Sequence, residues 1–573
     1  MSEKKIGTPS VEKPWKKFYS PEIMKAPLPE CSIYDYMLEQ NKDHLSDIAI
    51  NYLGKKITYG EMLLNINKAA AAFLKAGVKE KEIVTLALPN VPETIYCVYA
   101  LNKIGAVANM IHPLAGKSET AFYVNEVKSR FVLIFDGAYE NVADVFQDTT
   151  AEKVIVVSIA DSLPIIKKIL YSLKVKKPQM DETLFRTWKS FIREGGDTIV
   201  KSVKRDHHDV AIISHTGGTT GEPKGCMLSD YNVNAEIWQV INSMKNKRQE
   251  KMLVVLPPFV NYSLVNGILE PLVAGFTTVL LPKYEPEKFG EYVKTYQINH
   301  VNSIPAYWEA LIKIPDIQKY NFSGLGFVFY GGEGMKKESE NEVNRILAEC
   351  GAKVKLQKGL GMTEMTSAAS ATFEQINLPG SVGIPLAKTV FKVIDMDDQS
   401  EKSYNEEGEL CITGPTVMIG YYHNEEATND LIEVDKDGQR WIHTGDLGHI
   451  TEDGVVFVTG RAKRIIMTKG EDGQVTKMFP NRIEKAVHKA PSVELCCVIG
   501  VPDQERINYP KAIVVLKPGF EKSEAAKEEI REVCKTKLPG YMIPDEIEFR
   551  DELPRTPRGK IDYRALEDEL KNK

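Results

Sequence analysis

Short apolar runs that alternate with helix-like segments constrain the fold of this chain more than any other feature. Three runs in the first half, Ile83–Leu88, Ala106–Ile111 and Phe131–Phe135, are almost continuously apolar. Such runs are typical of parallel strands that helices cover on both faces. Later runs lie at 252–256, 277–281, 300–304 and 327–330. The sequence therefore predicts an α/β protein with doubly wound, mostly parallel sheets, whose ligands bind outside the carboxyl ends of the strands.

Length and composition indicate a protein of several domains with an ordinary globular character. At 573 residues the chain is too long for one hydrophobic core, and its 43% hydrophobic and 27% charged residues are typical of folded domains. The formal net charge of −6, with acids and bases interspersed, gives no general attraction to nucleic acid or to anionic membranes. We therefore expect small-molecule chemistry and no nucleic-acid partner.

The cysteines and the apolar segments indicate in which cellular compartment the protein is expected. The eight cysteines are scattered, and the close pair Cys496 and Cys497 lies in an apolar run, so we expect buried free thiols rather than a zinc site or disulfides. No run approaches the roughly 18 apolar residues of a membrane span. The start of the chain, Met1–Lys5, lacks the apolar core of a signal peptide. We expect a cytoplasmic protein.

A glycine- and threonine-rich stretch, Ser214–Gly225, follows a short apolar run, Asp209–Ile213, that predicts a strand. Its glycines let the backbone curl around a ligand, its threonines offer hydroxyls and Lys224 offers a positive charge, which together suit the phosphates of a nucleotide. It is not a Walker A loop, because Gly225 follows the lysine where serine or threonine is required. The alternative is a flexible surface turn.

Five further motifs follow this loop in order. They are Gly331–Met335 (GGEGM), Gly359–Glu364 (GLGMTE), Trp441–Asp446 (WIHTGD), Gly460–Lys463 (GRAK) and Leu553–Asp562 (LPRTPRGKID). Together with the loop they resemble the signature motifs of the adenylate-forming superfamily, which includes acyl-CoA synthetases, luciferases and the adenylation domains of peptide synthetases. The resemblance extends from about Ile33 to the end of the chain.

The resemblance implies a large N-terminal domain, which holds the doubly wound sheets and a smaller β portion, and a small mobile α+β domain. We expect an N-terminal extension at 1–30, a large AMP-binding adenylation domain at 31–461 and a C-terminal domain at 462–573 that carries the catalytic lysine. Between Gly383 and Val458, alternating segments and turns predict antiparallel strands. The N-terminal extension, which contains lysines and spaced prolines, is expected to be an extended arm with little regular structure.

The resemblance also implies roles for residues in these motifs. Activating a carboxylate with ATP needs a cation, a magnesium ligand and amides that cradle the phosphates. We expect Lys560 to be the catalytic cation, Glu364 to bind Mg²⁺ and Thr363 to contact the α-phosphate; the alternatives are a solvated lysine and a helix-capping Thr-Glu pair. Asp446 is expected at the ribose hydroxyls, or else in a turn. The expected ATP- and AMP-binding residues are Thr216, Gly217, Gly218, Thr219, Thr220, Gly221, Lys224, Gly331, Gly332, Glu333, Gly359, Leu360, Gly361, Asp446 and Arg461.

Two positions depart from the family pattern. Leu360 stands where an aromatic residue commonly packs against adenine, so aliphatic packing would replace stacking. Val260 stands where many acyl-CoA synthetases have histidine and amino-acid-activating domains have aspartate, so an α-ammonium group would lack a buried partner. We therefore expect an acid with an apolar tail, in a pocket that contains Phe259, Val260, Tyr262 and Tyr330.

For the second half-reaction, the resemblance implies that Lys463 is the hinge about which the C-terminal domain rotates. A long polar loop, Glu471–Phe479, follows it and would border the entry path of the thiol. We interpret the chain as an AMP-forming carboxylate:CoA ligase with a small-molecule carboxylic acid, ATP, Mg²⁺ and coenzyme A. The alternatives are an adenylating enzyme that loads a carrier protein and a nucleotide-binding protein without turnover.

A basic amphipathic segment, 154–180, has no role in this chemistry. Its apolar residues form one helical face, and lysines flank that face. The apolar residues are Ile165, Ile166, Ile169, Leu170 and Leu173. Such a helix can lie on a membrane surface as a peripheral contact, but an apolar helical stripe is more often docked on the protein's own core. We favour docking on the core.

Overall fold

The computed structural model describes residues 7–174, 180–216, 223–244, 247–373, 376–396, 398–461, 466–469, 475–478, 480–555 and 561–571. The helices are α1 (Pro9–Glu12), α2 (Pro21–Lys25), α3 (Ile33–Asn41), α4 (Tyr59–Ala76), α5 (Pro92–Lys103), α6 (Lys117–Glu126), α7 (Tyr139–Val142), α8 (Ile165–Lys174), α9 (Trp188–Gly195), α10 (Asp230–Ser243), α11 (Glu270–Val273), α12 (Phe289–Tyr296), α13 (Pro305–Glu309), α14 (Lys337–Glu349), α15 (Glu425–Leu431), α16 (Pro480–Val487), α17 (Glu524–Lys535) and α18 (Tyr563–Lys571).

The strands are β1 (Ile48–Tyr52), β2 (Lys55–Thr58), β3 (Ile83–Ala87), β4 (Val107–Met110), β5 (Phe131–Phe135), β6 (Lys153–Val157), β7 (Phe185–Thr187), β8 (Val210–Thr216), β9 (Lys224–Ser229), β10 (Lys251–Val254), β11 (Thr277–Leu280), β12 (His300–Ser303), β13 (Phe327–Tyr330), β14 (Gln357–Lys358), β15 (Ser370–Ala371), β16 (Ile384–Pro385), β17 (Val390–Ile394), β18 (Gly408–Thr413), β19 (Gly420–Tyr421), β20 (Ile432–Val434), β21 (Arg440–Ile450), β22 (Val456–Arg461), β23 (Ile466–Lys469), β24 (Val475–Met478), β25 (Val493–Asp503), β26 (Ile507–Leu516) and β27 (Glu546–Arg550).

The first large sheet contains the apolar strands of the first half of the chain. Its order in the described residues is β19-β9-β8-β4-β3-β5-β6-β7. The strands from β8 to β7 in this order are parallel, whereas β8 and β9 form an antiparallel hairpin and β19 pairs antiparallel with β9. Parallel pairing of these buried runs confirms the prediction of a doubly wound, mostly parallel sheet.

The second large sheet has the order β14-β13-β12-β10-β11-β1-β2, and its strands are parallel except in the β1–β2 hairpin. Helix α5 is buried along its whole length and begins with Pro92, which needs no hydrogen-bond partner for its nitrogen. The largest apolar cluster joins Leu86 of the first sheet to Leu280 of the second. This shared core fixes the two sheets relative to each other.

Antiparallel strands follow the two large sheets. Strands β17, β18, β21 and β20 lie in that order, and β22 pairs with β21. Their location confirms the prediction of an antiparallel β portion after Gly383. Beyond them, β25, β26 and β27 form a sheet with its own apolar core, which includes Val498, Val514 and Ile530. The domain boundary expected at 461–463 stays a prediction, because 462–465 lie outside the described residues.

The N-terminal segment is not an extended arm, so that prediction is wrong. It contains α1, α2 and a 3₁₀ turn at Pro14–Phe18. Trp15 is 1% exposed and packs in an apolar cluster with Val455, and the Tyr19 hydroxyl donates to the Pro385 carbonyl at 2.8 Å. Lysines and prolines predict an arm from composition, but the two aromatic side chains dock the segment on the β portion of the chain.

Helix α8 forms as expected, but its environment differs from the favoured interpretation. Its apolar side chains are exposed to solvent: Ile165 by 78%, Ile166 by 74%, Ile169 by 56%, Leu170 by 54% and Leu173 by 78%. The prediction that this stripe is docked on the protein's own core is therefore wrong. Among the described residues, every helix is too short or too polar to cross a bilayer.

Truncation of Trp15 tests the docking of the N-terminal segment. Trp15→Ala should lower the free energy of unfolding by about 3 kcal/mol, because it removes a fully buried aromatic side chain. Urea denaturation followed by circular dichroism measures the change. Val11→Ala is the control, because Val11 is 74% exposed and its truncation should cost less than about 0.5 kcal/mol. Equal stability of Trp15→Ala and the wild type would contradict the docking.

Candidate functional site

The β8–β9 hairpin presents the glycine- and threonine-rich loop at the carboxyl end of β8. Thr216, the last residue of β8, pairs with Lys224, the first residue of β9. The loop residues predicted to bind ATP lie outside the described residues: Gly217, Gly218, Thr219, Thr220 and Gly221. The register of the hairpin thus fixes both ends of the loop, and the phosphate-binding roles stay predictions.

A tyrosine connects the start of β9 to the Thr363-Glu364 motif. Strand β19 pairs with β9 so that Tyr421 lies opposite Cys226. The Lys224 Nζ atom is 5.1 Å from the centre of the Tyr421 ring, and the Tyr421 hydroxyl donates to Glu364 Oε1 at 2.7 Å. Burial, and then the Glu364 carboxylate, raise the pKa of Tyr421 well above its usual value, so the hydroxyl keeps its proton. Two predicted site residues from distant motifs therefore meet at one ring.

The backbone of the Thr363–Met365 turn is held by two neighbouring segments. The Thr363 carbonyl accepts from the Cys226 thiol at 3.4 Å, and the Glu364 carbonyl accepts from the Met418 N–H at 2.9 Å. Cys226 is fully buried, and burial followed by the Glu364 charge raises the pKa of its thiol well above the usual value. The thiol is thus a neutral donor, and both predicted catalytic residues of this turn have fixed backbones.

Thr366, the residue that follows the Thr363–Met365 turn, has a left-handed backbone with φ of 65°. For a β-branched residue this conformation costs about 1–3 kcal/mol. It is stabilised by the Thr366 hydroxyl, which donates to the Thr416 carbonyl at 2.8 Å, and by the Asn261 amide, which donates to the Thr366 carbonyl. Asn261 in turn accepts from the Ser214 hydroxyl at 2.9 Å. This chain of bonds ties the turn to β8.

Gly359 and Gly361 lie too close to a neighbouring backbone to carry a side chain. A Cβ atom at Gly359 would be 2.2 Å from the Ser370 carbonyl oxygen, and one at Gly361 would be 2.0 Å from that of Ser367. Between them, the Leu360 carbonyl accepts from the Ser370 N–H at 3.1 Å, and the Leu360 side chain packs against the central apolar cluster. The predicted adenine-binding segment is thus a narrow turn with a single side chain at its centre.

The second predicted adenine-binding segment follows β13. The Gly331 N–H donates to the Ser303 carbonyl at 3.1 Å, and Gly332 has φ of 87°, which favours glycine. A Cβ atom at Gly331 would be 3.8 Å from the Tyr262 ring, and Glu333 is exposed. The structure therefore brings this segment next to one of the residues predicted for the acyl pocket.

The residues predicted for the acyl pocket come from two segments of the chain. Phe259, Val260 and Tyr262 are partly buried on the segment between β10 and α11. Tyr330 is 4% exposed within an apolar cluster against which Tyr262 also packs, and its hydroxyl donates to Glu340 at 3.0 Å. The pocket roles of these four residues stay predictions.

Strands β21 and β22 place Asp446 opposite Arg461. The Arg461 Nε atom is 2.6 Å from Asp446 Oδ1, and the Asp446 N–H donates to the Thr444 hydroxyl at 3.0 Å. Asp446 is only 5% exposed, so its carboxylate is held by the guanidinium in a defined orientation. Both residues are predicted to bind the nucleotide, and the structure pairs them with each other.

Two predicted residues of the C-terminal part, Lys560 and Lys463, lie outside the described residues, and their roles stay predictions. The polar stretch Glu471–Phe479 is not a loop throughout, contrary to the prediction. Its residues Val475–Met478 form β24, which pairs antiparallel with β23. Val475 and Thr476, in the middle of this stretch, favour a strand, but the polar composition of the whole stretch conceals this preference.

Glu364 is the residue predicted to hold Mg²⁺. Its carboxylate is a hard oxygen donor, and among the described residues the structure shows its side-chain hydrogen bond at Oε1 alone. Mg²⁺ commonly keeps several waters and binds one or two carboxylates together with substrate phosphates. The Glu364 carboxylate is buried, and its hydrogen bond with Tyr421 holds it near the end of the glycine- and threonine-rich loop. Glu364 therefore fits that requirement.

Reasoning from sequence does not single out Tyr421, Asn261 or Cys226. Tyr421 is 57 residues from its partner Glu364, and Asn261 is 105 residues from Thr366. No local pattern marks such residues, because their contribution depends on contacts between distant segments.

His443, in the Trp441–Asp446 motif, bridges three strands. Its Nδ1 atom is 3.7 Å from Cys411 Sγ and 3.3 Å from Glu409 Oε2, and its Nε2 atom is 3.2 Å from Glu433 Oε2. Hydrogen bonds with Cys411, and then with Glu409, raise the pKa of His443 to about 10. The imidazolium therefore holds β18 and β20 against β21 at neutral pH.

His443 should make stability depend on pH in one direction. Because its pKa rises from 6.5 to about 10 on folding, its contribution is complete below pH 6.5 and is lost as pH rises through 10. The wild type and His443→Gln should therefore differ most in free energy of unfolding near pH 6.5 and least above pH 10, as measured by urea denaturation. His449→Gln on the same strand is the control, since burial lowers the pKa of His449. A difference that grows toward alkaline pH would contradict this role.

Sequence comparison identifies two family regions. The AMP-binding enzyme family matches residues 38–422, and the AMP-binding enzyme C-terminal domain matches residues 482–560. The chain is 28% identical over 571 residues to the long-chain-fatty-acid--CoA ligase of Bacillus subtilis (strain 168), covering 98% of this chain and 99% of the relative. It is also 28% identical over 526 residues to 4-coumarate--CoA ligase CCL1 of Humulus lupulus, covering 90% and 89%.

A solved structure with a similar fold is ATP-bound MatB from Rhodopseudomonas palustris. Its TM-score is 0.79 at 21% sequence identity, with 94% of this chain and 99% of MatB covered. This likeness concerns the fold, and it agrees with the predicted large domain followed by a C-terminal domain. Because the family match spans more than half of the chain and contains Ser214–Gly225, Gly331–Met335 and Gly359–Glu364 in order, the chain belongs to the AMP-binding enzyme family, the adenylate-forming group that its motifs resemble.

Proposed function

We propose that the protein is an AMP-forming carboxylate:CoA ligase. In the first step, a carboxylate oxygen attacks the α-phosphorus of ATP, the bond to the β-phosphate oxygen breaks and pyrophosphate leaves. In the second step, the thiolate of CoA attacks the acyl carbonyl, the bond to the AMP oxygen breaks and AMP leaves. The observation that carries the proposal is a junction of three residues, in which Lys224 and Glu364 both contact Tyr421 at the end of the glycine- and threonine-rich loop.

In this junction the Lys224 ammonium lies over the Tyr421 ring, and the Glu364 carboxylate accepts a hydrogen bond from the Tyr421 hydroxyl. Lys224 offers a cation for phosphate oxygens that emerge from the loop, and Thr363 offers a hydroxyl at the α-phosphate. Glu364 would hold Mg²⁺, which when bound neutralises charge on the phosphates. Tyr421 is a positioning residue, because its hydroxyl fixes one oxygen of the Glu364 carboxylate.

The other motifs are proposed to bind the ribose and the adenine of ATP. Asp446, oriented by Arg461 at 2.6 Å, would accept hydrogen bonds from the ribose hydroxyls. Gly359, Leu360 and Gly361 would line the adenine site, where the closely packed backbone leaves Leu360 to pack against the base. Gly331 and Gly332 would border it from the end of β13.

The acid is proposed to carry an apolar tail. Val260 provides no carboxylate for an α-ammonium group, so amino acids would bury an unpaired charge. Phe259, Val260 and Tyr262, with Gly331 next to the Tyr262 ring, form the proposed start of the acyl pocket. Similarity to relatives named for long-chain fatty acids and for 4-coumarate supports an aliphatic or aryl acid of this kind.

The C-terminal part would complete both steps. Lys560, in the LPRTPRGKID motif, is proposed to stabilise charge on the transferring phosphate, and Lys463 to be the hinge between the arrangements for the two steps. CoA is the proposed acceptor, and a carrier protein is the second candidate, since a polar stretch with strand β24 adjoins the expected thiol entry.

A substrate panel tests the proposal directly. Pyrophosphate release should depend on an apolar carboxylic acid, and adding CoA should yield acyl-CoA. Pyrophosphate release without acyl-CoA at saturating CoA would favour the carrier-protein alternative. No acid-dependent release with any member of the panel would favour a nucleotide-binding protein without turnover.

Removal of one hydroxyl tests the positioning role of Tyr421. Tyr421→Phe should lower kcat for pyrophosphate release about tenfold, with little change in KM for the acid, because it deletes a hydrogen bond to a charged carboxylate. Raising the Mg²⁺ concentration should restore part of the loss. Tyr422→Phe, at the next position, is the control and should retain its rate. An unchanged rate for Tyr421→Phe would remove the residue from the site.

Lys560→Ala tests the separation of the two steps. Adenylate formation should fall by at least about a hundredfold, since the variant removes a cation from the developing charge. Thioester formation from supplied acyl-adenylate should persist, because that step would use the other domain arrangement. Lys537→Ala is the control, an exposed lysine elsewhere in the C-terminal part. Pyrophosphate release close to that of the wild type would contradict the assignment, whereas loss of both steps would indicate misfolding.

A further inference from the structure

Helix α8 contacts the rest of the protein through its polar side. The Lys167 Nζ atom donates to the Leu53 carbonyl at 2.7 Å, and the Lys168 Nζ atom donates to the Asp161 carbonyl at 3.3 Å. The Tyr171 hydroxyl donates to the Asp136 carboxylate at 3.3 Å, and its ring packs against the central apolar cluster. A helix on the surface of a soluble protein usually exposes its polar side. In α8 the polar side instead contacts the rest of the protein.

The opposite side of α8 presents a continuous apolar surface to solvent. At 3.6 residues per turn, its five isoleucine and leucine side chains occupy a single face, and each is more than half exposed. We call this face the α8 stripe; it consists of Ile165, Ile166, Ile169, Leu170 and Leu173. Monomeric soluble proteins rarely expose a contiguous apolar patch of this kind unless it contacts a partner or a membrane.

Lysines predominate among the charged residues of the α8 segment. Between Asp161 and Asp181 the sequence contains five lysines and no acidic residue. The Leu53 carbonyl, in the turn of the neighbouring β1–β2 hairpin, accepts from Lys167, and strand β2 begins after this turn with the exposed Lys55 and Lys56. The exposed Lys167 and Lys168 therefore flank the apolar face with positive charge, although the whole chain has a formal net charge of −6.

We infer that the α8 stripe is a peripheral membrane-binding surface for anionic phospholipid bilayers. The apolar side chains would enter the boundary between headgroups and acyl chains, and the lysines would lie at the level of the phosphates. Charge complementarity selects this occupant over a second copy of the chain. Two α8 stripes placed face to face would bring two sets of lysines together, whereas an anionic bilayer offers both an apolar interior and negative headgroups.

Vesicle sedimentation of the full-length protein tests the inference. The protein should sediment with vesicles of equimolar phosphatidylcholine and phosphatidylglycerol, and much less with phosphatidylcholine alone. Added salt should weaken binding, because it shortens the Debye length. The triple substitution Ile165→Gln, Ile169→Gln, Leu173→Gln should weaken binding by at least about tenfold, since it removes the inserted apolar surface.

Two further variants make the result specific. Val434→Gln changes another exposed apolar residue, 62% exposed, in the antiparallel sheet and should bind like the wild type. The double substitution Lys55→Glu, Lys56→Glu should weaken binding to the anionic vesicles only. Pyrophosphate release with a short, freely soluble acid should be unchanged in the α8 variant, so that a binding defect cannot be mistaken for loss of the nucleotide site.

Several outcomes would overturn the inference. Equal sedimentation of the wild type and the triple variant would show that the α8 stripe does not contact lipid, and so would the absence of wild-type binding to anionic vesicles. Concentration-dependent dimerisation in analytical ultracentrifugation, abolished by the triple variant and without vesicle binding, would assign the stripe to a second copy of this chain.

Discussion

The antiparallel pairing of β9 with β8 on one side and β19 on the other determines where the polar groups of the candidate site lie. Pairing with β8 sets Lys224 opposite Thr216, at the base of the loop. Pairing with β19 sets Tyr421 opposite Cys226, from where its hydroxyl reaches Glu364. Because backbone hydrogen bonds fix this register, a slip of one residue would turn each of these side chains to the other face of the sheet.

The polar contacts behind the site form a chain in which each buried group depends on its neighbour. Ser214, Asn261 and the Thr366 carbonyl lie on three different segments, and each is almost completely buried. A buried donor or acceptor that loses its partner costs more than the bond itself contributed. The left-handed backbone of Thr366 persists because these bonds and its contact with Thr416 oppose its relaxation.

The sequence predicts the parts of this protein that are encoded locally. Apolar runs such as Phe131–Phe135 predict their strands because burial on both faces demands such composition. The helical period predicted for α8 is also correct, but the period alone does not show which face of the helix packs against the protein. Trp15 docks through a contact with residues more than four hundred positions away, and the lysines around it suggest an arm. Tyr421 likewise has no local signal, because its role requires Glu364 to be placed beside it by folding.

The close backbone packing at Gly359 and Gly361 limits how the proposed adenine-binding turn can vary. At either position even a methyl group would overlap a carbonyl oxygen, so substitution there would have to displace the main chain of the Ser367–Ser370 segment. Leu360, between them, carries the one side chain of this turn, and that side chain packs against the central apolar cluster. Under the proposed adenine-binding role, selection or design would have to change the preference for the base at Leu360, because Gly359 and Gly361 do not accept a side chain.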